Sequence, residues 1–169
     1  MNNMLQKNYL VVYYSHTGNT ERIANLISKY LDCDIEKIED MKKRSGPMGY
    51  VLAGRDGLLK KLTNIGNIKN DPSSYKTIII GTPVWVSVTP AVRTYLSLYG
   101  NKIKNAAFFC TMEGSGGKKA FQDMEVVYGK KPISTLEIKL NEIDKDQFEE
   151  KIKEFIRRIK TLKNLYYSK

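Results

Sequence analysis

The sequence predicts an α/β protein of the doubly wound kind: a three-layer sandwich around a five-stranded parallel sheet in the order 2-1-3-4-5. Apolar, strand-like runs alternate with helical patterns along the chain. Three of those runs are continuously apolar, as strands covered by helices on both faces must be, and two are interrupted by polar residues, as edge strands are. The loops that follow the apolar runs are rich in glycine and hydroxyls, as befits ligand loops beyond the carboxyl ends of parallel strands.

The first interior strand is Tyr9-Leu10-Val11-Val12-Tyr13-Tyr14, followed by a helix whose apolar face carries Ile23, Ala24, Leu26, Ile27, Tyr30 and Leu31. Cys33 to Ile38 mixes apolar and polar residues and reads as an edge strand. Thr77-Ile78-Ile79-Ile80 is the second interior strand; the helix after it opens on Pro90 and places Val92, Tyr95, Leu96 and Tyr99 on one face. Ala106-Ala107-Phe108-Phe109-Cys110 is the third, followed by a helix with Ala120, Phe121, Met124 and Val127. Leu136, Ile138 and Leu140 alternate with Glu137 and Lys139, the pattern of the other edge. A last helix is expected from Asp144, with Gln147 completing a capping box, burying Phe148, Ile152, Phe155, Ile156, Ile159 and Leu162. Residues 1–169 read as one domain. Within it, 41–71 is an extended crossover between strands two and three, either a surface excursion or a flap. A short helix is expected there from Val51, Leu52, Leu58, Leu59 and Leu62, and Arg55, Lys60 and Lys61 read as solvated basic residues.

The net charge of +10 raises the question of a nucleic-acid partner. The basic residues are dispersed, with no aromatic-interleaved ribbon and no zinc-finger spacing, so nucleic acid is not the expected partner. No apolar run is long enough for a membrane span, and the N-terminus lacks a secretory signature. Cys33 and Cys110 have no metal-ligand spacing and are expected to be buried free thiols in a cytoplasmic protein. The oligomeric state is left open.

Chemistry concentrates in three loops. Ser15-His16-Thr17-Gly18-Asn19-Thr20 lies between a strand and a helix and offers three hydroxyls, a glycine and helix N-terminal amides, which together make a phosphate nest. It has no lysine and does not fit the Walker pattern. Gly114-Ser115-Gly116-Gly117-Lys118-Lys119 fails that pattern too, having Met112 where the first glycine belongs, so an ATPase is not expected. The other two loops are Gly81-Thr82-Pro83-Val84-Trp85 and Thr111-Met112-Glu113-Gly114-Ser115-Gly116-Gly117. Receiver domains of the same sheet order need an acidic cluster after strand one and an aspartate after strand three. Ser15-His16 and Thr82 stand there instead. Low-molecular-weight phosphatases need a cysteine and an arginine in the first loop, and neither is present.

From Tyr9 to the C-terminal helix the sequence resembles the flavodoxin family, with Tyr14–Thr20 similar to its FMN-phosphate loop and the other two loops in register on the matching strands. The resemblance implies an FMN cofactor held by Ser15, His16, Thr17, Gly18, Asn19 and Thr20 at the phosphate. It implies Thr82, Pro83, Val84 and Trp85 on one side of the isoalloxazine, with Trp85 stacking. On the other side it implies Thr111, Met112, Glu113, Gly114, Ser115, Gly116 and Gly117. It further implies a redox role, an electron carrier serving a redox partner protein. The alternative is an NAD(P)H-dependent reductase of a small-molecule acceptor. A non-redox phosphate-binding module is the third class, and no catalytic acid or base is identifiable.

Two departures from the family bear on that choice. Single-electron carriers of the family have a glycine beside the flavin N5, whereas Val84-Trp85-Val86-Ser87-Val88-Thr89 contains none. They are also typically acidic, and this chain is strongly basic, which is expected to raise the hydroquinone couple if the charge lies near the flavin. His16 is the only histidine, and beside a phosphate its protonation adds a favourable charge. FMN is therefore expected to bind more tightly at about pH 5.5 than at about pH 8. His16→Ala is expected to abolish the difference, read as dissociation constants from flavin fluorescence quenching.

Overall fold

A chain whose interior strands are apolar on both sides has only one way to bury them, between two layers of helices. The computed structural model describes residues 7–41 and 62–167, with side chains through residue 161. In chain order the elements are β1 (Lys7–Tyr13), α1 (Asn19–Leu31), β2 (Asp34–Lys37), β3 (Tyr75–Val84), α2 (Pro90–Tyr99) and β4 (Asn105–Met112). These are followed by α3 (Gly117–Tyr128), β5 (Thr135–Lys139), α4 (Leu140–Asp144) and α5 (Glu149–Tyr167). All sheet pairings are parallel, and the strand order is β2-β1-β3-β4-β5, as expected.

Alternation along each strand divides the core in two. Leu10, Val12, Ile78, Ile80, Ala106 and Phe108 face the layer made by α2 and α3, with Val92, Leu96, Phe121 and Met124 opposite them. Val11, Ile79, Ala107 and Phe109 face α1 and α5, where Ile23, Ile27, Ile152, Phe155 and Ile159 complete the packing. Each fully buried Ile, Leu or Phe side chain contributes about 1.5–3 kcal/mol against exposure. The β2 and β5 edges carry half-exposed polar residues among their apolar ones.

The structure departs from the sequence pattern at several places. β3 extends to Val84 and β4 to Met112, so Thr82, Pro83, Val84, Thr111 and Met112, expected in loops, are paired strand residues (Thr82 with Cys110, Pro83 with Thr111, Val84 with Met112). The last helix starts at Glu149, not Asp144. Asp146, at φ 54°, turns the chain between α4 and α5, and Gln147 donates its amide to the Glu142 carbonyl at 2.8 Å instead of capping. Leu140 begins α4 rather than ending β5, because the Glu142 carboxylate accepts the Lys139 amide at 2.8 Å and starts a helix there. Tyr30 lies on the outer side of α1, its hydroxyl bonded to Glu149. Cys33 is half-buried at the β2 edge, while Cys110 is buried, and both are free.

The long crossover is pinned at its two ends. Asp40 and Ile65 form an antiparallel bridge, the Met41 amide donates to the Asn64 carbonyl at 2.9 Å, and the Gly66 amide donates to the Glu39 carbonyl at 2.8 Å. Thr63 and Thr94 exchange two hydrogen bonds of 3.0 Å, tying this neck to α2. Glu36, 7% exposed, accepts the backbone amides of Lys69 and Asn70. The expected helix through Val51, Leu52, Leu58 and Leu59, with Arg55, Lys60 and Lys61, lies outside the described residues; Leu62 is 58% exposed.

Gly81 sits opposite Phe109 in the register, and a Cβ there would lie 2.0 Å from Phe109 Cζ. Gly81→Ala is expected to destabilise by about 1–3 kcal/mol, because the ring is held in a filled core. Gly114→Ala, where a Cβ meets nothing within 4 Å, is expected to stay within about 0.5 kcal/mol. Urea denaturation midpoints of the two variants check this.

Candidate functional site

In an open parallel sheet every strand delivers its following loop to the same edge, and the crevice opens where the strand order reverses. Here that point lies between β1 and β3, with the loop after β4 beside it. The helix N-termini of α1, α2 and α3 also face this edge, each with first-turn amides that have no partner within the helix.

The first loop leaves β1 at Tyr14, whose amide donates to the Gly81 carbonyl at 3.1 Å and so keeps the chain on the sheet. Ser15 is buried, and its Oγ accepts the Gly18 amide at 3.1 Å. Gly18 adopts φ 93°, ψ −18°, a left-handed conformation that a side chain disfavours, and it is the N-cap of α1. No side chain caps that helix end. His16, Thr17 and Gly18 are exposed, and Asn19 is half-buried at the first helical position. Glu21, in the first turn, is engaged by the Tyr13 hydroxyl at 2.8 Å and by Lys37 Nζ at 3.2 Å. These bonds, led by that from Tyr13, hold its carboxyl below the usual range.

Trp85 stands at the exit of β3, half-buried, with its ring edge-on to Tyr14 at 6.3 Å and to His16 at 5.6 Å. The second loop therefore touches the first through aromatic edges. The return to α2 is fastened at its base: Thr82 Oγ1 donates to the Pro83 carbonyl at 3.0 Å and meets Thr89 Oγ1 at 3.1 Å. Farther along, Ser87 Oγ donates to the Asp123 carboxylate on α3, and Val88 is fully buried. Val86, 44% exposed, is left at the surface.

The third loop is tied to the first by a buried hydroxyl pair, Thr20 Oγ1 and Thr111 Oγ1, 2.8 Å apart. Met112 is buried, and Glu113, Gly114 and Ser115 are exposed. Gly116, at φ 104°, is the N-cap of α3, also without side-chain capping, and a Cβ there would come within 3.0 Å of Val84 Cγ1. Glycine lets this loop close against the second one. Gly117 packs on Glu137.

Arg93, one turn into α2, is 5% exposed, and its Nε and Nη2 have no hydrogen-bond partner among the described residues. Nη2 lies 3.9 Å from Asp123 Oδ2, and Lys119 Nζ lies 3.4 Å from the same oxygen. Although burial opposes its ionisation, the Asp123 carboxyl is held below its usual range by Ser87, Lys119 and Arg93. Burial pushes the Cys33 thiol up to about 12 and raises that of Cys110 as well, so neither is a nucleophile at neutral pH. Among the described residues no cluster of His, Cys, Asp and Glu could hold a metal. No helix among them is long and apolar enough to cross a membrane.

No protein-family model matches this chain, and no curated protein does. Among solved structures, the crystal structure of a flavoprotein in complex with FMN from Lactobacillus acidophilus NCFM superimposes with a TM-score of 0.69 at 23% identity, covering 82% of this chain and 97% of that one. The NMR structure of the apo form of the flavoprotein from that organism gives 0.62 at 25% identity, over 82% and 96% of the two chains. A chain from Bacteroides eggerthii DSM 20697 gives 0.65 at 21% identity, over 79% and 88%.

The chain has the flavodoxin-like fold. In it, the three loops singled out from sequence stand together at the carboxyl edge of the sheet, joined by the Thr20–Thr111 pair and by the Trp85–His16 contact. Not all of their residues are equally available: Thr20, Thr82 and Thr111 are buried, with hydroxyls engaged inside the protein. The sequence reading missed Ser87, Arg93 and Asp123. The only hint of them is an arginine inside a helix that is buried almost all round.

Replacing one member of the Thr20–Thr111 pair with valine leaves the other hydroxyl buried alone. Thr20→Val and Thr111→Val are each expected to destabilise by about 1–3 kcal/mol. The double variant is expected to lose less than the sum of the two. A double-mutant cycle from thermal or urea unfolding reads that coupling.

Proposed function

We propose that this chain is an FMN-binding redox protein that transfers electrons through the bound flavin. The observation that carries the reading is the meeting of three loops at the switch point of a flavodoxin-like sheet: the uncapped α1 N-terminus with Ser15 and Gly18, the aromatic Trp85, and the close-packed Gly116–Gly117. The donor set fits a phosphate monoester. Backbone amides and the hydroxyls of Ser15 and Thr17 supply hydrogen bonds, while Thr20, buried against Thr111, braces the loop, and the helix terminus supplies a partial positive charge without a lysine. Glu21, the nearest acid in the sequence, is already taken up by Tyr13 and Lys37. The half-buried Trp85 and the glycine-rich third loop suit a planar ring, which needs an aromatic face on one side and backbone on the other. The FMN complex of the Lactobacillus acidophilus flavoprotein supports the same cofactor. When bound, FMN supplies the redox chemistry, while the protein orients it and sets the electrostatics around it.

A second reading, an NAD(P)H-dependent reductase of a small-molecule acceptor, is favoured by one observation. The loop from Trp85 to Thr89 has no glycine and is fastened at Thr82–Thr89 and at Ser87–Asp123. A loop so held resists backbone rearrangement between redox states, which suits two-electron transfer.

The test is a visible spectrum of purified protein with added FMN, followed by anaerobic NADPH. Quenched flavin fluorescence and a resolved flavin band are expected. A protein that neither quenches FMN nor is stabilised by it against heat overturns the proposal. Bleaching by NADPH identifies the reductase, and reduction by dithionite or a partner protein alone identifies the carrier.

A further inference from the structure

Arg93 is a buried charge that its surroundings do not fully satisfy. The residue is 5% exposed, yet Nε and Nη2 find no hydrogen-bond acceptor among the described residues, and the approach to Asp123 is a single 3.9 Å contact rather than a two-pronged pair. An unmatched buried N–H is costly, more so on a charged group, so such a group calls for an explanation beyond stability. Its location supplies one. Arg93 lies one turn into α2, directly after the loop that carries Trp85, whose ring meets His16 of the first loop. Asp123 joins the guanidinium to Ser87 of that same loop, and Lys119 approaches the same carboxylate, so among the described residues two cations share one carboxylate behind the loop. Since Arg93 and Asp123 are both buried, salt screens their field far less than it screens the surface lysines.

We propose that Arg93, balanced by Asp123, is a positioning residue for the flavin chemistry, its buried charge setting how much more tightly the site holds fully reduced FMN than oxidised FMN. The inference rests on the FMN reading above. Reduction of the isoalloxazine takes up two electrons and one proton and leaves one negative charge on the ring. A positive charge behind the ring-binding loop therefore favours the reduced form, and the carboxylate opposes it.

The test measures two quantities for the parent, Arg93→Met, Arg93→Lys and Asp123→Asn. One is the affinity for oxidised FMN by fluorescence quenching. The other is the two-electron potential by anaerobic dithionite titration against a reference dye, which supplies the electrons and yields the affinity for the reduced form. Arg93→Met is expected to lower the reduced-to-oxidised affinity ratio at least about threefold, and Asp123→Asn to raise it by a similar factor. Arg93→Lys, which keeps the charge, is expected to stay within about twofold of the parent. Opposite signs from the two partners are what a merely structural role does not produce, since loosening the α2–α3 contact moves both variants the same way. Ratios that do not move, or that move in the same direction, overturn the inference. If Arg93→Met does not fold, Asp123→Asn decides alone: a raised ratio supports the inference, and an unchanged or lowered one overturns it. A parent that binds no FMN overturns the FMN reading and this inference together. A parent that binds FMN with unmoved ratios overturns only this one.

Discussion

The reversal of strand order between β1 and β3 is the constraint on which the other features depend. β1 pairs with β2 on one side and β3 on the other, so α1, which follows β1, packs on one face while α2, which follows β3, packs on the opposite one. Their N-termini diverge, and a crevice opens that no side chain of the sheet can fill. Everything distinctive at the carboxyl edge then answers one problem: closing that crevice far enough to make a site without filling it. The Tyr14 amide on the Gly81 carbonyl, the Thr20–Thr111 hydroxyl pair and the edge-on Trp85 each draw one loop toward its neighbour.

The chemistry of the first loop follows from what it lacks. Without a lysine, an anion bound there on the FMN reading would be held by oriented amides and hydroxyls rather than by a counter-charge. Ser15 contributes to that order directly, since its oxygen accepts the Gly18 amide and keeps the glycine in its left-handed turn. Net charge works at a different range. The +10 of the chain is spread over exposed side chains, where salt attenuates it within about 8–10 Å, whereas Arg93 acts from inside. Overall basicity and the local field behind the second loop are therefore separate quantities, and the latter is the one that a ring in the crevice would experience.

Much of this was legible in the sequence because burial on both faces leaves so plain a mark. Ile78-Ile79-Ile80 and Ala106 to Cys110 can only be interior strands, and the polar interruptions of β2 and β5 mark the edges. What stayed hidden depends on backbone angles or on partners distant in sequence. Asp146 at positive φ splits the C-terminal segment into α4 and α5, although the apolar positions from Phe148 onward fit one helix. Thr82 and Pro83 look like loop residues, yet β4 extends alongside and pairs with them. Tyr30 satisfies the helical period but points to Glu149 rather than into the core. Ser87 and Asp123, 36 residues apart, carry no local signature at all.

That hidden network also bears on how the loop after β3 can behave. A loop held only by its ends adapts its peptides to whatever the ligand presents, whereas this one is fastened at its base by Thr82 and Thr89, buried at Val88, and bonded through Ser87 to another helix. Moving a peptide near Trp85 would strain or break one of these contacts, each in a place that water cannot reach to compensate. On the FMN reading, the protein then meets the oxidised and the fully reduced flavin with nearly the same backbone. Discrimination between the two falls to fixed charges, not to rearrangement. A fixed positive charge is most effective when it is buried and only partly neutralised, and Arg93, 3.9 Å from Asp123 with Nε and Nη2 unmatched among the described residues, meets those conditions.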